Sequence, residues 1–296
     1  MTESLLPAGL ALLGAFFFGL SSHAVRLGLR GSTARLGSIV SIGATAAFYW
    51  LLAPLLLWEA AWSLETLLPF VAIFALVGLV SPGLSLFLSY EANRVMGPTI
   101  SGTLAATAPL FGAGGAVLVL GERLTPGVAL GTVAIVAGVM ALSWQGRGRR
   151  RWPLWAVLLP LGAALFRGGA HLGVRMGMLV TPAPFTGVLI AFSISFLAVT
   201  LAYQAGPTPL PLRRLRAALG GGLGWFALTG VLNGLALLCQ YVALSLGRVV
   251  VVSPMISTFP LFTLAISLLF GVERLSLRIG VGVLLVVLGV VVISTR

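Results

Sequence analysis

The chain has no lysine and no aspartate, one cysteine and two histidines, and charged side chains make up only 8% of its 296 residues. Each shortage closes off a class of protein. A soluble domain keeps roughly a quarter of its residues charged to cover its surface, so this chain must face lipid over most of its area. Without lysine there is no Gly-x-x-x-x-Gly-Lys loop, which excludes transport driven by nucleotide hydrolysis within this chain. The single thiol, Cys239, lies in the apolar run GLALLCQYVAL. It permits neither a disulfide framework nor a cysteine metal site, and no metal or other cofactor is expected. All six acids are glutamate and no two share an apolar run, so the clustered carboxylates of metal-dependent prenyl or phosphoryl transfer are missing. No Gly-x-Ser-x-Gly elbow occurs either, and enzyme activity is not expected.

What is abundant is apolar. Hydrophobic residues make up 59% of the chain and the mean hydropathy is +1.11. A bilayer core of about 30 Å takes about 20 apolar residues per helix. Reading apolar runs between charged or Pro/Gly-rich breaks predicts ten spans: roughly 5–25, 36–57, 67–89, 98–120, 126–144, 153–175, 184–204, 222–245, 249–270 and 278–294. The N-terminal MTESLLPAGL lacks the positive region of a signal peptide, so the first run is expected to stay as a helix. The net charge of +12 does not indicate nucleic acid. Its arginines sit in short connections between apolar runs rather than on one solvated face.

The chain also repeats itself. Residues 108–125 read APLFGAGGAVLVLGERLT and residues 259–276 read FPLFTLAISLLFGVERLS. A shift of 151 positions aligns Pro109 with Pro260, Phe111 with Phe262, Glu122 with Glu273, Arg123 with Arg274, Gly131 with Gly282 and Gly138 with Gly289. The basic stretch at 146–152 divides the spans five and five: a first repeat over 1–145 and a second over 153–296. Five is odd, so the second repeat must enter the membrane from the opposite side, giving an all-α integral membrane protein of two inverted five-helix repeats.

With Arg26, Arg167 and Arg175 set aside as intrahelical, 12 of the other 15 arginines fall in odd-numbered connections. The positive-inside rule then places those connections in the cytoplasm and both termini outside, the inner membrane of a bacterium being the expected location.

Pro-Leu-Phe, an apolar stretch, a glycine one or two residues before Glu-Arg-Leu-Ser/Thr and a glycine-spaced helix, at 109–143 and again at 260–294, resemble the EamA-like ten-helix branch of the drug/metabolite transporter superfamily. The resemblance implies export or exchange of small metabolites, often amino acids or their derivatives, through a cavity between the repeats. The family is commonly drawn with both termini in the cytoplasm, opposite to the arginine distribution here. Its small multidrug relatives carry a proton-exchanging glutamate in the first helix. The corresponding LALLGAFFFGLSSHAVRLGL has no acid, which argues against proton-coupled export of organic cations.

Ionisable side chains inside spans mark pathways by default. His23 and His171 each lie nine residues after a Gly-Ala pair, so they occupy equivalent places in the two repeats. Arg26 follows the first by three residues; Arg167, His171 and Arg175 form a stripe at i, i+4, i+8. Arginine there would fix an anionic group, most simply a carboxylate, and histidine would handle a proton. The alternative for Arg26 and Arg175 is snorkelling to the interface; Arg167, some 14 apolar residues in from Pro153, is too deep for that.

Ser81, Ser85 and Ser89, followed by Tyr90, give the third span one polar face; Thr229, Asn233 and Gln240, followed by Tyr241, do the same for the eighth. These faces either line the substrate path or make interhelical hydrogen bonds. Pro82, Pro109, Pro254 and Pro260 are expected to interrupt their helices, Pro109 and Pro260 as paired hinges. Glu122-Arg123 and Glu273-Arg274 are expected to close the hairpins they sit in. The glycines after them suit a close helix seam, either between repeats or in a dimer. The expected function is a secondary transporter for amino-acid-like or carboxylate-bearing metabolites, with protons as coupling ions if the histidines act. A non-transporting membrane partner or sensor and, behind it, an intramembrane enzyme are the alternatives.

Overall fold

The computed structural model describes residues 5–30, 32–56, 63–96, 98–143, 153–205, 222–269 and 277–295. The basic stretch at 146–152, Glu273 and Arg274 lie outside the described residues.

The first span is α1 (Leu5–Gly28) and the second α2 (Ala34–Leu56). The third is two helices, α3 (Leu64–Gly78) and α4 (Ser85–Met96). Between them Ser81 takes φ −147° and ψ 121°, because Pro82 has no N–H to return to the preceding turn. The fourth span is α5 (Pro98–Ala105) and α6 (Ala108–Leu120), the fifth α7 (Pro126–Ser143), the sixth α8 (Leu158–Val180) and the seventh α9 (Pro184–Ala205). The eighth is α10 (Leu223–Leu246), the ninth α11 (Val249–Ile256) with α12 (Phe259–Leu269), and the tenth α13 (Leu277–Ser294).

Nine of these spans are apolar helical stretches of 18 residues or more among the described residues, and the apolar stretch Pro126–Leu142 is shorter. Its helix α7 nevertheless has 18 residues, a length of about 27 Å. Side-chain bonds show that it crosses. Ser41 Oγ donates to Phe226 O (3.2 Å), Thr45 Oγ1 to Gly230 O (2.8 Å) and the Tyr49 hydroxyl to Gly234 O (2.6 Å). The separation is 185 residues each time, so α2 and α10 run parallel. That requires an odd number of crossings between them. The third, fourth, sixth and seventh spans supply four, and α7 the fifth.

The repeats are inverted, and the α7–α13 seam shows it directly. A Cβ on Gly131 would lie 2.8 Å from Gly289 O, and one on Gly138 2.7 Å from Gly282 O. As numbers rise along α7 they fall along α13, so these equivalent helices are antiparallel. The contacts are also reciprocal, as a twofold in the membrane plane demands. Other pairings obey the same exchange: α1 packs on α10 and α12, while its counterpart α8 packs on α4 and α6. The glycine seam therefore joins the repeats within one chain.

The breaks in the fourth and ninth spans are duplicates as well. Thr107 and Thr258 bond back through their hydroxyls to Leu104 O and Met255 O, both at 2.7 Å. Pro109 and Pro260 lie two residues past these threonines, inside the first turn of α6 and α12, and do not themselves form the bend. Pro254 sits within α11 without ending it; the expectation that it interrupts the ninth span is corrected.

Gly121 and Glu122, in the first copy of the motif, have a different use from the one expected. Gly121 takes φ +64°, a left-handed cap that suits glycine. The turn aims Glu122 away from its own hairpin. Its carboxylate oxygens accept the N–H groups of Val249 and Val250, each at 3.0 Å. Glu122 thus caps the N-terminus of α11 across the repeat boundary, where backbone donors lack helical partners. It does not close the α6–α7 hairpin.

Small residues fill the interior, among them Ala11, Ala15, Ala163, Ala164 and Ala236, while Leu51, Leu118, Leu130, Leu154 and Leu277 lie exposed on the outside. Such an inside-out distribution suits packing in lipid, where close backbone contact replaces a hydrophobic driving force.

Candidate functional site

The sixth span carries the chemistry. Its middle is drawn against α6 by two glycines. A Cβ on Gly168 would meet Ala108 O at 2.5 Å, and one on Gly112 would meet Ser253 Oγ at 2.9 Å. Only bare backbone at both positions lets α6, α8 and α11 converge. At that convergence His171, 5% exposed, holds its Nδ1 2.7 Å from Ser253 Oγ. Every residue of α11 from Val249 to Ile256 is buried, so Ser253 and His171 pair in the middle of the protein.

Arg167 lies one turn before His171, half-buried, and its guanidinium has no hydrogen-bond or ion-pair partner among the described residues. The third member of the stripe behaves differently. Arg175 donates to Leu244 O (2.9 Å) and Ser245 O (2.7 Å), the last carbonyls of α10, where a cation is favoured.

In the first repeat His23 sits 3.4 Å from Gly19 O through Nδ1 and 3.1 Å from Ser267 Oγ through Nε2. Arg26 is exposed in the last turn of α1. Asn233 accepts a hydrogen bond from Ser21 Oγ at 2.7 Å. Gln240 is 6% exposed and its amide has no partner among the described residues. Tyr241 is buried with its ring 5.8 Å from that of Phe74.

The serine face is turned inward on its own span. Ser89 bonds to Ser85 O (2.7 Å) and Ser85 to Ser81 Oγ (3.4 Å). Thr229 likewise returns to Trp225 O at 2.9 Å. The Tyr90 side chain lies outside what is described.

The structure thus sets Arg167 one turn from His171 on α8, with Gln240 and Tyr241 on α10, a helix that packs on α8. It sets Arg26 apart at a helix end. Ser253 and Ser267 were missed by sequence reasoning. The only sign of either was a lone hydroxyl in an otherwise apolar run, VVVVSPMI and LAISLLF.

Ten apolar spans in inverted halves, with an uncompensated cation and a buried histidine between them, define a membrane transporter of small molecules. The model of the EamA-like transporter family matches residues 5–144 and again 154–295, and the chain belongs to that family. No curated protein matches it. A solved crystal structure, described only as that of a protein, is similar in fold with a TM-score of 0.73 and 17% identity, over 99% of this chain and 96% of its own.

Proposed function

We propose that this chain is a secondary transporter that moves small carboxylate-bearing metabolites by alternating access, outward under physiological gradients, with Arg167 holding the anionic group. The observation that carries this reading is the unpaired guanidinium of Arg167 inside the bundle. A cation at depth costs a few kcal/mol unless something compensates it. Nothing in the described protein does, so the arriving anion is its partner. Arg26, at the cytoplasmic end of α1, Ser81 and Tyr90 on the third span, and Asn233 and Tyr241 on the eighth, belong to the approaches rather than to the binding point.

Two asymmetries support alternating access. Spans pair as a twofold requires, yet side chains do not. His23 and His171 both bond to the ninth span, through Ser267 and Ser253, whereas a strict twofold would send one of them to the fourth. Helix α11 is buried throughout, while its counterpart α5 is only half-buried over Gly102–Ala105. A bundle of paired halves in unequal contact is what one of two exchangeable states looks like.

The test is uptake of radiolabelled carboxylates by purified protein in vesicles. Arg167→Leu is expected to insert normally and to abolish flux; undiminished flux would refute the reading. Complete absence of flux from the native chain for every carboxylate tried would favour a non-transporting partner.

A further inference from the structure

Three contacts draw helix α11 onto its neighbours at one end of the bundle. The Glu122 carboxylate, just past the end of α6, holds the first two N–H groups of α11, each at 3.0 Å. Arg248, the residue before α11, donates to Arg123 O at 3.2 Å. Deeper in, His171 joins α8 to Ser253, and Gly112 of α6 lies against the same serine.

Arg175 shows which end this is. It bonds the last carbonyls of α10, from which Gly247 and Arg248 lead directly into α11. The Arg175 end of α8 therefore lies at the closed face. His171 is one turn in from Arg175, and Arg167 is two turns in. The three contacts thus stand between Arg167 and the face that carries the 121–125 turn.

The opposite end is built differently. At the shift of 151, the counterparts of α6 and α11 are α12 and α5. Helix α6 packs on α11, and so does α8. Among the described residues, the counterpart pairs α12–α5 and α1–α5 make no comparable contact. The bonds of Glu122 could not be copied there either. The counterpart of Val249 is Pro98, which has no N–H to donate.

We infer that Glu122 is a gating residue: its carboxylate latches the fourth span to the ninth, shuts the 121–125 face, and releases α11 each time a solute passes. This rests on the alternating-access reading. In an inverted repeat, exchange of states gives each helix pair the arrangement that its counterpart has here. Helices α6 and α11 then part as α12 and α5 have, and the cap cannot outlast their separation. The freed N–H groups of α11 lack helical partners and meet the water that enters the path. Since the far end lacks a matched pair of donors, the closure described here is the resting one, with Arg167 open to the other face.

The experiment uses the full chain in oriented vesicles with no solute added. Arg167→Cys in a Cys239→Ser background provides the only thiol, and a membrane-impermeant maleimide is added to one face at a time. A separate Leu124→Cys variant in the same background marks the vesicle face that carries the 121–125 turn. With Glu122 intact, labelling at position 167 is expected to be slower from that face than from the other. Glu122→Ala is expected to speed labelling from the 121–125 face by about three- to thirtyfold, the range that loss of such a cap spans, without speeding it from the opposite face. Glu122→Gln, which keeps the volume and one acceptor, is expected to act in the same sense by less. A structural cap alone would loosen the bundle and speed labelling from both faces alike. That result, or rates unmoved by either substitution, would overturn the gating role and leave alternating access standing. If position 167 is labelled from neither face in any variant, both fall together.

Discussion

Arg167 and Arg175 are two turns apart on one stripe of one helix, and the same substitution should do opposite things to them. Arg175 holds the C-terminal carbonyls of α10, hydrogen bonds to a charged donor that are worth about 1.5–3 kcal/mol. Arg175→Leu is therefore expected to lower the melting temperature in detergent. Arg167 has no such partners, so Arg167→Leu removes an uncompensated charge and is expected to raise the melting temperature while abolishing flux. A fall in stability on both substitutions would show that Arg167 has a structural partner. Sites kept strained for function commonly show this opposition between stability and activity. The histidines give a second prediction. Each bonds one serine of the ninth span, and imidazole is a side chain able to take up and hand on a proton. Replacing His23 and His171 together by glutamine is expected to remove the pH dependence of uptake. A profile that keeps its shape would remove protons from the mechanism.

Among the elements, the first copy of the duplicated motif, at Glu122, is a joint between repeats. Glu122 caps α11, whose first residues are more than 120 positions downstream of it. Loss of such a cap costs about 0.5–2 kcal/mol. Glu122→Ala is expected to destabilise the protein by about that amount in denaturant titration, and Glu122→Gln by less, since the amide oxygen still accepts one bond. Equal, negligible effects would mean the cap is not formed in solution. How far this was readable follows from what the sequence repeats. Ten spans, the five-plus-five division and the glycine seam were all visible as periodic apolar runs or matched positions. Gly78 and Gly230, 152 positions apart, also meet equivalent carbonyls, those of Ala191 and Ser41. The threonine bends were missed narrowly: Thr107 and Thr258 stand one residue before the stretches whose likeness is plainest. Ser253 and Ser267 were out of reach because their counterparts at the same shift are Gly102 and Ala116. A comparison of halves finds what the halves share, and the proposed binding point is where they differ. The partner of Glu122 was hidden for another reason: a backbone N–H leaves no trace in a sequence.

For the whole molecule the decisive property is the antiparallel seam. A side chain at Gly138 would press on backbone of the other half, while Gly280, two residues before Gly282 and so on the far side of α13, has open space around it. Gly138→Val is expected to cost about 1–3 kcal/mol, the usual range for overpacking, and Gly280→Val to be close to neutral in the same assay. If the two substitutions behaved alike, the seam would not join the repeats as described. The orientation proposed from the arginines has its own test: a reporter active only in the cytoplasm should be silent at the C-terminus, and activity there would reverse it.

The account stands or falls on water and solute reaching Arg167 from both sides of the membrane. Cys239 is the one native thiol, so a Cys239→Ser background carrying Arg167→Cys offers a single reporter at that depth. A membrane-impermeant thiol reagent is expected to label position 167 when added to either face of oriented vesicles. Failure to label from both faces, with the variant properly inserted, would mean the centre of the bundle is dry packing and would contradict the transport pathway.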